Sequence, residues 1–98
     1  MEALKSQVTV VAKEDISSFK FPKEEVLKEK ELKGLRTINI RHGLTLGNLD
    51  KRKVKIIFED DQGIKKVETT IWGITEENII LKKGILIPIC RVHDVKFY

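Results

Sequence analysis

From Val54 onward the chain keeps a two-residue rhythm, and that rhythm confines its fold more than any other feature. Val54, Ile56 and Phe58 alternate with Lys53, Lys55, Ile57 and Glu59, and residues two apart share a face only on a β-strand. Asp60-Asp61-Gln62-Gly63 then interrupts the run with turn-forming residues, Gly63 being free to take φ > 0 and close a hairpin. The next strand is expected over about 66–74, with Val67, Thr69, Ile71 and Gly73 on one face and Lys66, Glu68, Thr70, Trp72 and Ile74 on the other. Turn signals at 75–78 and at Lys82-Lys83-Gly84 bound strands over about 78–82 and 85–89. Pro88 belongs near a strand end or edge, because it has no N–H to give the ladder. A short turn at 90–92 then leads into a last strand over 93–97.

Taken together, the inward positions predict the architecture. Val54, Ile56, Phe58, Val67, Ile71, Ile79, Leu81, Ile85, Ile87, Ile89, Val95 and Phe97 make a full core for a small SH3-like barrel of five strands, in a mainly β (α+β) chain with one N-terminal helix. Ninety-eight residues fit one domain with a single core and little chain to spare for a large cavity. The expected division is an N-terminal extension over 1–36 and a barrel over 53–97. On the opposite strand face Ile57, Trp72, Ile74, Ile80 and Leu86 form an apolar patch that a soluble monomer rarely leaves open. It needs a cover, either from the N-terminal segment or from a second protein chain.

Before the barrel the signals are weaker. Residues 7–12 (QVTVVA) have the β-branched content of a short strand. Pro22 suits the first position of a helix, Glu24 and Glu25 suit its positive end, Lys30 and Lys33 its negative end, and Gly34 its stop, so a helix is expected over about 22–33. Its apolar residues Val26, Leu27 and Leu32, with Leu35 beyond, make a narrow stripe that must dock on something. In 37–50 (TINIRHGLTLGNLD) the first residues alternate like a strand, while Gly43, Gly47 and the Gly47-Asn48 pair argue against any regular element.

Charge is banded along the chain. Residues 37–58 carry five basic side chains against one acid, 59–77 two against six, and 78–98 four against one, within a net charge of +4. Arg41, Lys51, Arg52, Lys53 and Lys55 come from the first band, Lys82, Lys83 and Arg91 from the last. If the fold brings 51–55 beside the 82–84 turn, a positive groove forms that can follow a phosphate backbone, with Trp72 as a stacking surface. Trp72 shares its face with Ile57, Ile74 and Ile80, and a covered packing role is the commoner meaning of that setting.

Other constellations point away from chemistry. Cys90 and His93 stand three apart, so on a strand they face opposite ways and meet only if the chain turns between them. A lone cysteine with two histidines falls short of a closed zinc site and allows no internal disulfide. His93-Asp94 are strand neighbours and diverge. His42-Gly43 to Gly47 lacks the Gly-Lys-Ser/Thr of a phosphate loop, which leaves turn glycines as the reading. The acids Glu59, Asp60 and Asp61 sit where turns favour them and lack calcium-loop spacing.

Two stretches resemble known families. VKIIFEDDQG, VETTIWGITEENIILKKG and IPICRVHDV are similar to a group of small uncharacterised bacterial proteins, mainly from Bacteroidetes, with a V-x-TTIW segment and an I-P-I-x-R-[IV] ending. The resemblance covers about 46–95 and implies no activity. The ending ILKKGILIPICRVHDV also resembles the close of the RNA cyclic group end recognition domain at Gly84, Ile87, Pro88 and Arg91, with Cys90 where that family has His. The glycine, proline, short turn and last strand are similar to the end of SH3-like barrels, which bears on fold alone.

The expectation is therefore a non-catalytic binding module of the cytoplasm, without cofactor, metal or small-molecule substrate. No apolar run reaches the roughly 18 residues of a membrane span, and the N-terminus lacks an apolar signal region. The first reading is RNA or DNA on the basic set. The alternative is a protein partner, or a second copy, on the patch of Ile57, Trp72, Ile74 and Ile80.

Overall fold

The computed structural model describes residues 8–97. Within them a short strand β1 (Thr9–Val11) precedes one long helix, α1 (Lys30–Asp50), and six further strands: β2 (Val54–Glu59), β3 (Ile64–Thr69), β4 (Ile71–Ile74), β5 (Asn78–Leu81), β6 (Leu86–Pro88) and β7 (Val92–Lys96). The architecture is α+β. The strands form two sheets, one in the order β1-β3-β2-β7 and one in the order β4-β5-β6, and no closed barrel is found among the described residues. Only Thr70 separates β3 from β4, so the strand expected over 66–74 is divided there and passes from one sheet to the other.

The alternating pattern holds in β2, where Val54, Ile56 and Phe58 are fully buried while Lys55, Ile57 and Glu59 are half-buried. Val67, Ile71, Ile79, Leu81, Ile87 and Val95 join them in one cluster, and Ile85, Ile89 and Phe97 pack against its edge. Burying one such side chain contributes about 1.5–3 kcal/mol, so this cluster outweighs any single surface ion pair at about 0–1 kcal/mol. Ile16, on a 3-10 turn at Lys13–Ser18, and Ile40, on α1, close the cluster from outside the sheets. Phe19 and Phe21 lie on Phe58 at ring-centroid distances of 6.3 and 5.9 Å. β1 adds to the edge of β3 as a parallel strand and covers Thr9–Val11 of the expected 7–12 run, of which Gln7 lies outside the described residues.

The helix is a correction. It runs over Lys30–Asp50 rather than 22–33, and the segment expected to be irregular is its body. Residues 22–29 instead form a strap held by tertiary bonds: Val26 N–H donates to Cys90 O, Cys90 Sγ to Lys23 O, and Arg91 Nη1 to Glu24 O. These contacts with the turn at Ile89–Arg91 override the capping signals around Pro22. On α1 the inward face is Arg36, Ile40, Gly43 and Gly47, spaced four, three and four apart. Two of those positions are glycine because the sheet comes close. A Cβ on Gly47 would stand 2.5 Å from Ile71 O, and one on Gly43 would stand 2.9 Å from Ile71 Cδ1. The glycines read as turn signals are the docking surface of a helix. Leu32 and Leu35, expected to cover an apolar sheet face, are exposed instead, while Leu27 is buried.

Candidate nucleic-acid interface

The C-terminal end of α1 is fixed against the sheet switch. Lys51 takes the left-handed conformation (φ 53°), and its N–H donates to Gly47 O, which ends the helix. Its carbonyl accepts from Thr70 Oγ1 at 3.3 Å, tying the helix end to the residue between β3 and β4. Beside this junction lies a groove of about 500 Å³ lined by Lys13, Lys51, Lys53, Lys82 and Trp72, with Asn48, Thr69 and Thr70 as neutral polar neighbours.

Four lysines therefore line one concavity, and no Asp or Glu among the described residues lines it. The end of a helix contributes about −0.5 charge, which four lysines exceed several-fold. Lys13 is partly offset by Glu14, whose carboxylate it reaches at 2.9 Å and whose pKa it holds below the usual range. Trp72 is 57% exposed, which corrects the expectation that it is covered. The cause is local: pairing of β4 with β5 shifts register between Ile71 and Gly73, so Trp72 has no cross-strand partner and turns outward at the groove.

The structure sorts the sequence-derived basic set. Lys53 and Lys82 reach the groove, together with Lys51. Lys83 stands in the same turn as Lys82, at φ 68°, and does not line it. Arg41 is exposed on α1 well before the groove, and Arg52 is exposed and pairs with Asp50 at 3.6 Å. Lys55 sits within β2, opposite Glu68 on β3 and Lys96 on β7. Arg91 is 5% exposed and structural: Nε donates to Glu59 O, Nη1 to Glu24 O and Nη2 to Asp60 O. Its guanidinium knits the strap, the β2–β3 turn and the turn before β7 together, so it leaves the candidate interface. Lys13 was invisible to sequence reasoning, because nothing local ties a residue of the first turn to residues 38 and 69 positions later.

The apolar patch is divided. Ile57 belongs to the larger sheet, and Trp72, Ile74 and Ile80 to the smaller; Ile74 is half-buried against the core.

The remaining polar residues have structural duties. Asp60 accepts from the N–H groups of Gln62 and Gly63 and from Lys65 Nζ at 2.8 Å. Burial pushes its pKa up, but Lys65 and those N–H groups prevail and hold it below the usual range. The chain does turn between Cys90 and His93, yet the Cys90 thiol is directed at Lys23 O, while His93 Nε2 donates to Glu59 Oε1 at 2.8 Å. A second hollow, beside Cys90 and Pro88, includes Arg36. Its Nη1 and Nη2 donate to both oxygens of Glu25, at 2.7 and 2.8 Å, and Nη1 also to Val92 O, while its buried Nε has no hydrogen-bond partner among the described residues. The Arg36 hydrogen bond and the Leu27 N–H outweigh desolvation and keep the Glu25 pKa low. Among the described residues no group of three or more His, Cys, Asp or Glu is placed to hold a metal ion, and no helix is long and apolar enough to cross a membrane.

Comparisons with protein-family models, curated proteins and solved structures find no significant match to this chain.

Proposed function

We propose that this chain is a single small, non-catalytic cytoplasmic module that binds single-stranded nucleic acid in the groove between the end of α1 and the β3–β4 switch. One observation carries the reading: Lys13, Lys51, Lys53 and Lys82 converge with an exposed indole on a concavity that no described carboxylate lines. Lysines around a groove supply a sequence-independent attraction for phosphates, and an exposed indole offers a face on which an unpaired base stacks, at about 1–3 kcal/mol. A duplex keeps its bases stacked on one another and cannot use Trp72 in that way, which favours the single strand.

The fold reading that accompanies this is an SH3-like module. Taking β3 and β4 as halves of one strand bent at Thr70 leaves five strands, the first four linked by antiparallel turns and the last reached by a 3-10 turn at Ile89–Arg91, which supports that reading. The likeness to the small bacterial group implies no activity, and in the likeness to the end of the RNA cyclic group end recognition domain Cys90 replaces the family's His; only the SH3-like ending bears on fold. Gly84 takes φ 74°, Ile87 is fully buried, Pro88 ends β6 and Arg91 is an internal brace.

The test is fluorescence anisotropy of a labelled oligouridylate and of a duplex of equal length, at low salt. The reading expects binding to the single strand, weakened about tenfold or more by Lys53→Glu or Lys82→Glu and weakened also by Trp72→Ala. Tighter binding to the duplex would refute the stacking role of Trp72. Absence of binding to any RNA or DNA would refute the proposal as a whole.

A further inference from the structure

Thr69 carries a buried hydroxyl that the fold does not use. The residue is 6% exposed and ends the inward row of β3, after Val67 and opposite Val54 on β2. Valine has the same shape and would suit those apolar neighbours better, since a hydroxyl taken out of water without a partner is destabilising. Buried side-chain oxygens in folded chains nearly always have such a partner. Thr70, the next residue, has one, because its Oγ1 donates to Lys51 O. The Thr69 hydroxyl makes no hydrogen bond to any described residue.

Nor is that hydroxyl sealed into the core. Among the described residues, the buried side-chain atom that is both closed to solvent and unpaired is Arg36 Nε. The Thr69 hydroxyl is unpaired without being closed, and Thr69 lines the groove between the end of α1 and the sheet switch. A donor and acceptor therefore stands open on the groove floor.

Its position indicates which part of a nucleotide it meets. The lysines suit phosphates and Trp72 suits a base. Thr69 stands between them: its cross-strand partner Val54 directly follows Lys53, and Trp72 comes just beyond the bend at Thr70. The part of a nucleotide between phosphate and base is the sugar. Ribose presents there a 2′-hydroxyl that donates and accepts, as the threonine hydroxyl does, whereas deoxyribose presents only hydrogen on carbon.

Resting on the reading that this groove binds a single strand, we propose that its ligand is RNA rather than DNA, and that Thr69 selects it through a hydrogen bond between Oγ1 and a ribose 2′-hydroxyl. Binding supplies the partner that the fold leaves out. Deoxyribose would leave the hydroxyl against carbon in a groove that the strand has closed to water, and so binds more weakly.

Oligouridylate and oligodeoxyuridylate of equal length carry the same bases and phosphates and differ in composition only at the 2′ position. Fluorescence anisotropy of both at low salt should show the native chain binding the ribose strand about three- to tenfold more tightly, the effect of one net hydrogen bond. Thr69→Val should bring ribose affinity down to the deoxyribose level, leave deoxyribose affinity unchanged, and not lower the midpoint of urea denaturation. Equal binding of the two strands by the native chain would overturn the assignment of RNA while leaving the groove as a nucleic-acid site. A preference that survives Thr69→Val, or a variant that weakens on both strands equally, would overturn the role of Thr69. If neither strand binds, the groove reading itself fails and this inference falls with it.

Discussion

Replacing Gly47 with alanine should destabilise the protein, although the same change in an ordinary helix interior stabilises it. Alanine exceeds glycine in helix propensity by about 1 kcal/mol, and at Gly34 nothing stands within 4 Å of a new Cβ. Gly34→Ala should therefore gain about 0.5–1 kcal/mol, which for a domain of this size raises the melting temperature by roughly 3–6 °C. At Gly47 the new Cβ would meet Ile71 O at 2.5 Å and Thr70 Cγ2 at 3.0 Å. The nearer obstacle is a backbone carbonyl within β4, so no rotamer relieves it and the helix end must back away. Overpacking of this kind costs about 1–3 kcal/mol, and the same displacement strains the bond from Thr70 Oγ1 to Lys51 O. After crediting the propensity gain, a net loss of up to about 2 kcal/mol is expected. Gly43→Ala should be milder, because its obstacle at 2.9 Å is the far end of the Ile71 side chain. Urea denaturation of the three variants, compared at equal m-values, measures the order. Should Gly47→Ala prove as stable as Gly34→Ala, the docking of α1 on the sheet switch would be wrong, and the groove it walls would fall with it.

Two further outcomes separate structure from binding. Arg91→Met should cost about 2–4 kcal/mol in urea denaturation, because it leaves buried carbonyls of Glu59 and Asp60 without their donor; at temperatures where the variant is folded its nucleic-acid affinity should match the native chain, and a selective loss of affinity would return Arg91 to the interface. Stability should also fall in acid. Glu25 and Asp60 both titrate lower in the folded chain than is usual, so their contribution is complete above the ordinary carboxylate range and is lost as pH drops through their depressed values. Denaturation midpoints that stay flat below about pH 4 would contradict the bonds drawn from Arg36 and Lys65.

How much of this was legible in the sequence depended on how local the cause was. The nine fully buried strand residues from Val54 to Val95 that the alternation placed inward are inward, because a period of two is enforced by the backbone of each strand. The helix was hidden for a physical reason. Its inward face carries Arg36 and two glycines rather than leucines, since the sheet approaches too closely for larger side chains, and glycine inside a helix has the same appearance as glycine in a turn. The signals at 22–33 were real local preferences, defeated by bonds to the turn before β7. At the groove, the meeting of Lys53 with Lys82 was expected only if a barrel closed; the two come instead from the ends of strands in different sheets. The outward Trp72 needed a bulge that no residue pattern announces, and the burial of Arg91 depends on three carbonyls distant in sequence.

The most direct measurement is a titration of Trp72 fluorescence, the signal of the sole tryptophan, with oligouridylate at several salt concentrations. Four lysines on a single strand predict quenching of the indole and a plot of log affinity against log salt with a slope of about −2 to −3, reduced by roughly one on Lys53→Glu. Binding that leaves the indole signal unchanged, or a slope near zero, would contradict the account.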